Sequence, residues 1–286
     1  MVTWIFGIMT TIEFASLVWL GSFLAGFLGS LTGLGGGVII TPLLTLAFGV
    51  DIRYAIGATL VSVIATSSGA AAAYVKEGYS NIRIGMFLEI ATTLGALTGA
   101  FLATRVPTAA LAVIFGVVLG YSGLSSAWGH RKSQGEAPPD PLATRLKLNG
   151  TYPTAAGETP YQVYRVPAGF SLMYAAGVLS GLLGIGSGAI KVLAMDQAMR
   201  IPFKVSTTTS NFMIGVTAAA SAGIYLNRGY IDPCLTMPVT LGVLAGALAG
   251  TRVLMRARVR VLRWVFAGVV IVLAAEMIRG GITGRL

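Results

Sequence analysis

The sequence predicts an all-α integral membrane protein: two inverted repeats of about five helical segments, each with a Gly-rich broken or re-entrant helix. Three observations lead there. Of 286 residues, 55% are hydrophobic and 10% charged, with a mean hydropathy of +0.80, against about 25% charged residues in soluble domains. The apolar runs have helical lengths, and lipid admits only helices or closed barrels because the backbone must satisfy its own hydrogen bonds there. Finally, the chain aligns with itself at a shift of 151 positions, and each half interrupts an apolar segment with a glycine run.

The first half, residues 1–128, contains apolar segments at about 12 to 32, 38 to 49, 54 to 75, 83 to 104 and 107 to 128. Residues 1–20 lack a basic leader region, and their apolar run continues, so they read as the start of a first helix. All segments but the second are long enough to span roughly 30 Å of hydrocarbon. Residues 129–166 change character. His130-Arg131-Lys132, Pro138-Pro139-Asp140-Pro141 and Gly157-Glu158-Thr159-Pro160 combine turn formers with mixed charge, which predicts a solvent-exposed cytoplasmic linker with a short helix near residues 142–148. The second half, residues 167–286, repeats the pattern at about 168 to 183, 189 to 200, 205 to 226, 234 to 254 and 261 to 279.

The register of the repeat is gapless. Gly26 falls on Gly177, Gly33 on Gly184, Gly35 on Gly186, Gly37 on Gly188, Tyr74 on Tyr225, Gly78-Tyr79 on Gly229-Tyr230, Gly95 on Gly246, Gly99 on Gly250 and Arg105 on Arg256. Parity sets the topology. The short second segment either crosses or pairs with its predecessor as a re-entrant hairpin. Both cases leave an odd number of crossings per half, so the second half enters from the opposite side. Placing the linker in the cytoplasm puts fourteen Lys and Arg on that side and five on the other, in keeping with the positive-inside rule.

Catalytic chemistry has no visible carrier. The single histidine, His130, reads as a solvated helix-end residue and cannot build a zinc site, and lone Cys234 forms no internal disulfide or thiolate cluster. The sequence therefore predicts neither an enzyme nor a cofactor or metal site. The net charge of +10 is scattered between apolar runs, which argues against nucleic acid as partner. Arg256, Arg258, Arg260 and Arg263 read as a solvated cytoplasmic loop facing anionic lipid. Glu89 and Glu276 are acids near helix ends; a proton-coupled carrier could use Glu89, but its place near the interface and its neutral repeat partner Thr240 favour a solvated or hydrogen-bonded helix-end carboxylate.

The binding chemistry concentrates at the breaks. Gly33-Leu34-Gly35-Gly36-Gly37 and Gly184-Ile185-Gly186-Ser187-Gly188 precede short apolar segments whose first N–H groups would face into the protein and attract an anion. Gly95, Gly99, Gly246 and Gly250, four apart in each half, read instead as close helix packing. Lys191 lies in the short second-half segment where the first half has Ile40. At membrane depth it should face a cavity or a partner, so contact with an anionic substrate competes with pairing to Asp196 or snorkelling to the interface. Thr59, Ser62 and Thr66 share a face of the third segment. Thr208, Thr209, Ser210 and Asn211 open its counterpart, with Thr217 further along, and could donate to oxyanions or bond back to their own helix. The predicted substrate site is Gly35, Gly36, Gly37, Gly186, Ser187, Gly188, Lys191, Thr59, Ser62, Thr208, Thr209, Ser210 and Asn211.

Residues 184–192, Lys204-Val205, residues 209–217 and Tyr225 through Gly229-Tyr230-Ile231-Asp232-Pro233 resemble the sulfite exporter TauE/SafE family of membrane permeases, and Gly33 to Gly37 with Ile39-Ile40-Thr41-Pro42 resembles its first-half motif. Ser187 stands where the family usually has glycine, and Leu193 where proline is common. The resemblance implies secondary transport of small sulfur-containing or organic anions, such as sulfite, sulfonates or sulfoacetate, across the plasma membrane of a bacterial or archaeal cell. Alternating access would be coupled to a proton or sodium gradient. A passive anion channel and a non-transporting scaffold with a partner-binding linker are the alternatives.

Overall fold

The computed structural model describes residues 11–32, 37–76, 80–128, 140–154, 157–254 and 259–284. The first half contains α1 (Thr11–Thr32), α2 (Gly37–Pro42), α3 (Ile52–Lys76), α4 (Ile82–Ala103) and α5 (Thr108–Trp128). The linker holds α6 (Pro141–Arg145) and strands β1 (Gly150–Thr154) and β2 (Gly157–Tyr161). The second half contains α7 (Val166–Leu183), α8 (Gly188–Leu193), α9 (Phe203–Asn227), α10 (Pro233–Leu254) and α11 (Val259–Ile282). Single π-helical turns, Leu43–Ala47 and Ala194–Ala198, extend α2 and α8. Such turns often mark functional regions. From α2 to α4, every helix and π-turn recurs 151 residues later with the same bounds.

Local chemistry explains several ends. Asn81 caps α4, its side-chain carbonyl accepting from the Ile84 amide at 3.0 Å. Its counterpart Asp232 accepts from the Cys234 amide at 2.9 Å where α10 begins. Asp140 serves two helices, one carboxylate oxygen accepting from Leu142 N at 2.9 Å and the other from Val166 N at 2.8 Å.

The halves are interleaved. α1 packs along α10, α4 along α7 and α5 along α11, while α3 meets α9; α4 also touches α9, and α10 touches α3. Exchanging the halves converts each of these pairings into another of the set or into itself. The contacts are backbone-close. A Cβ at Gly95 would overlap the Tyr174 carbonyl oxygen of α7, and one at Gly99 the Val178 carbonyl oxygen. A Cβ at Gly246 would overlap the Phe23 carbonyl oxygen of α1, and Tyr174 lies 151 positions after Phe23. The packing role expected for these three glycines is therefore present. Partner numbers rise together along α4 and α7, and along α1 and α10, so the helices in each pair run parallel.

Large apolar side chains remain exposed on the outer helices, among them Leu24, Met86, Ile90, Leu94, Leu241, Leu248 and Val272. Among the described residues, four helices are long and apolar enough to cross a membrane: Ile12–Gly29, Ile82–Ala103, Val166–Leu183 and Pro233–Gly250. They are α1, α4, α7 and α10, the parallel pairs just described.

The linker departs from the sequence expectation. It is not simply a solvent-exposed connection, because Ala143, Leu148, Tyr161 and Val163 are buried in a cluster with Ile84 and Leu88 of α4, Val166 of α7, Met199, Ile201 and Val205. The antiparallel hairpin pairs Tyr152 with Thr159, and its Pro153 and Pro160 hid the strands from a propensity reading. The hairpin also qualifies the all-α description. His130, Arg131, Lys132, Pro138 and Pro139 lie outside the described residues.

Candidate functional site

The second glycine break is built from left-handed backbone. Gly184 ends α7 at φ 68°, its N–H returning to Ser180 O at 2.8 Å, and Gly186 has φ 71°. Glycine alone reaches these angles without penalty, and the space allows no side chain: a Cβ at Gly186 would lie 2.8 Å from Ile214 Cγ2. Ser187 precedes α8 at φ 44°, is buried, and its hydroxyl has no hydrogen-bond partner.

Gly37, the last glycine of the first break, approaches the second break where α3 and α9 come together. A Cβ on Gly37 would lie 3.7 Å from Ile185 Cα, 2.7 Å from Val63 Cγ2 and 3.2 Å from Thr59 Cγ2. On the other side, Gly188 faces Ile214 Cδ1 at 2.6 Å and Ser210 Oγ at 3.8 Å by the same construction. Val63 and Ile214 are repeat equivalents, as are Thr59 and Ser210. Among the described residues of the breaks, Gly37, Gly186 and Gly188 are packed against these two aliphatic side chains. A cavity of about 430 Å³, lined by Phe101, Gly223, Ile224, Asn227 and Arg228, lies towards the other end of α9.

The predicted hydroxyls separate into different roles. Thr59 Oγ1 donates to Ala55 O at 2.8 Å and pairs with Thr41 Oγ1 at 2.9 Å, tying α3 to α2. Ser210 Oγ donates to Gly188 O at 3.3 Å, holding α9 to the break. Ser62 and Thr208 bond back to their own helices. Thr209 instead accepts the Asn81 amide at 3.0 Å, at the linker end of α4. Asn211 is half-buried beside Ser210 on α9. Gly35 and Gly36 lie outside the described residues.

Lys191 is fully buried, which excludes snorkelling. Its Nζ donates to Thr217 Oγ1 on α9, and Thr217 Oγ1 donates in turn to Glu89 Oε1 on α4 at 2.7 Å or to Met213 O at 2.8 Å. Glu89 is thus no helix-end carboxylate facing water. It sits inside α4 at 6% exposure, also receives the Thr93 hydroxyl on Oε1 at 3.1 Å, and leaves Oε2 buried with no partner. The sequence reading discounted Glu89 because its repeat equivalent, Thr240, is neutral. The signal that could have found it was a second lone charge inside an apolar run opposite Lys191.

Residues 18–277 match the family described as "TauE: Sulfite exporter TauE/SafE". The chain belongs to the sulfite exporter TauE/SafE family. The TauE/SafE match spans both breaks, Glu89, Lys191 and Thr217. Relatives carry corresponding names. The Bacillus subtilis (strain 168) "Probable membrane transporter protein YunE" is 27% identical over 278 residues, 94% of this chain and 99% of the relative. A "Probable membrane transporter protein" of Xylella fastidiosa (strain 9a5c) is 27% identical, covering 89% and 91% of the two chains. The archaeal "Probable membrane transporter protein MJ0441" of Methanocaldococcus jannaschii is 25% identical, covering 81% and 83%. No solved structure matches the chain. TauE/SafE membership and the exposed apolar helices make this a membrane protein of a transporter family.

Proposed function

We propose that the chain is a secondary transporter of small sulfur-containing or organic anions, of the sulfite, sulfonate and sulfoacetate class, moving them across the plasma membrane by alternating access coupled to an ion gradient. The observation that carries this reading is Lys191: a fully buried cation in the turn after the second glycine break, where the halves of the molecule meet. A buried charge inside a transmembrane bundle costs about 2.5 to 3.5 kcal/mol on insertion scales and marks a substrate or ion path by default. The substrate would bind among Lys191, Ser187, Gly186, Gly188, Gly37, Thr59 and Ser210, with Gly35 and Gly36 completing the first break. Ser62, Thr208 and Asn211 would flank it, and Thr209 would hold α4.

The packing supports inverted repeats: the helix pairings are unchanged when the halves are exchanged, as an axis in the membrane plane requires. Charge placement supports the proposed sidedness. Arg83 donates to Lys147 O at 3.1 Å and Arg200 lies over Tyr164, so these cations gather around the linker. Arg53 donates to Val106 O at 3.0 Å and lies over Tyr230, beside the loops that follow α4 and α9. The docked linker disfavours a scaffold, because its apolar residues are occupied by its own helices.

Val63 and Ile214 close the meeting point in this conformation, so transport requires α3 and α9 to separate there. The test is sulfite flux in proteoliposomes. Lys191→Ala is expected to reduce initial uptake at least tenfold, while Arg145→Ala on the exposed face of α6 leaves it unchanged. Equal uptake by both variants would remove Lys191 from the site.

A further inference from the structure

We propose that Glu89 carries the coupling proton, one per monovalent anion, and that Thr217 transmits anion binding at Lys191 to Glu89. This rests on the transport reading above and specifies its coupling ion and stoichiometry. The geometry is a three-residue relay between α8, α9 and α4. Lys191 and Glu89 form no direct ion pair in the structure; one hydroxyl stands between them, and it has one hydrogen to donate.

Charge balance supplies the coupling. An ammonium and a carboxylate buried together are neutral overall and bearable; either one unpaired in the same surroundings is strongly unfavourable. A monovalent anion arriving at Lys191 claims its positive charge and leaves the site one negative charge in excess. Protonation of Glu89 Oε2, the oxygen without a partner, restores neutrality. The proton comes from the water then in contact with the site, forms an O–H bond on Oε2, and returns to water on the far side. Glu89 is then a carboxylate again and pairs through Thr217 with Lys191.

α8 continues into the π-turn that carries half-buried Asp196, five residues after Lys191. Among the elements packed on α4, α7 contributes Tyr174, which bonds Thr98 further along the helix at 3.3 Å. α9 carries Lys204 in its first turn and Tyr225 near its last, the latter bonding the Gly181 and Leu182 carbonyls. On α4 itself, Arg83 is exposed and directed to the linker. Lys191 is the charge that reaches Glu89.

The experiment uses the full chain in proteoliposomes with labelled sulfite, reading exchange and pH-driven accumulation separately. In the native chain, a gradient of one pH unit should sustain about a tenfold gradient of hydrogensulfite, the monovalent form, the ratio fixed by one proton per anion. Glu89→Gln mimics the protonated acid and should exchange sulfite at a rate within about threefold of native while accumulating none against a gradient. Accumulation driven by pH in Glu89→Gln would overturn the proposal, as would native exchange without pH drive. Native protein that exchanges no sulfite overturns the transport reading together with this one. If Glu89→Gln does not exchange, Glu89→Asp decides: recovery of pH-driven accumulation supports the proton role, and failure of both variants assigns Glu89 to holding α4 on α9 and overturns it.

Discussion

The backbone amide of Asn81 donates to the hydroxyl of Thr209 at 3.0 Å, joining the first turn of α4 to α9 across the two halves. The Asn81 side chain meanwhile caps α4 and donates to Tyr161 OH at 2.6 Å, so one residue binds the linker hairpin to two helices. Asn81→Ala keeps the amide but loses cap and hairpin contact. It should lower stability by about 1 to 2 kcal/mol and accelerate protease cleavage within 129–166. An unchanged cleavage rate would show that the hairpin docks without it.

Tyr161 provides a pH handle on the same contact. Burial pushes its hydroxyl above the ordinary value of 10.0, and the Asn81 hydrogen bond opposes this more weakly. A raised folded-state value means that the docked form holds its proton longer than the released form. Docking is then unaffected below pH 10 and weakens as pH rises beyond it. Tyr161→Phe should abolish that alkaline loss in a hydrogen-exchange measurement of β2, and persistence of the loss in the variant would assign it elsewhere.

The sequence register already contained much of this architecture. Gly26, Gly95, Gly177 and Gly246 align in pairs, and the structure uses them in matching contacts. What the register could not disclose was which side chains fill the meeting of the breaks, because Val63 and Ile214 look like any aliphatic residues of a membrane helix. Glu89 was obscured for a related reason. Apolar periodicity carries no facing information when nearly every position is apolar, so depth and partners emerge only from packing. The hairpin was illegible because docking on Ile84 and Leu88, not strand propensity, stabilises it.

The glycine contacts predict a steep and selective cost. Gly95→Ala and Gly246→Ala each drive a methyl into a backbone carbonyl that cannot rotate away, so each should destabilise by about 1 to 3 kcal/mol. Gly223→Ala, with nothing within 4 Å of its Cβ, should be near neutral. Thermal unfolding in detergent measures the difference, and equal shifts at all three sites would contradict the packing described.

Ser187 occupies a left-handed conformation at φ 44°, which costs a residue with a Cβ roughly 1 to 2 kcal/mol. Ser187→Gly should therefore raise stability. If the unpartnered hydroxyl also contacts the anion, the same change should increase the KM for sulfite. A gain in stability with an unaltered KM would remove Ser187 from the substrate.

Alternating access requires the Val63 and Ile214 closure to open. With exposed Cys234 replaced by serine, Val63→Cys and Ile214→Cys should resist a membrane-impermeant thiol reagent at rest and react when sulfite is turning over. Reaction at the same rate with and without substrate would indicate a standing pore, as a passive channel requires.

The repeat supplies a last test, because Lys191, Thr217 and Glu89 have counterparts in Ile40, Thr66 and Thr240. Ile40 is fully buried, and the buried Thr240 hydroxyl has no hydrogen-bond partner. Ile40→Lys alone places an unpaired ammonium in apolar surroundings and should cost about 3 kcal/mol. Thr240→Glu alone strands a carboxylate. Should the two halves be related as proposed, the pair of substitutions places both charges on either side of the Thr66 hydroxyl. The double variant should then recover about 0.5 to 3 kcal/mol relative to the sum of the single changes. A thermodynamic cycle from denaturation in mixed micelles reads this coupling directly. Strict additivity would mean that Ile40 and Thr240 do not face one another through Thr66, and the symmetry argued for the charged relay would not extend to its counterpart.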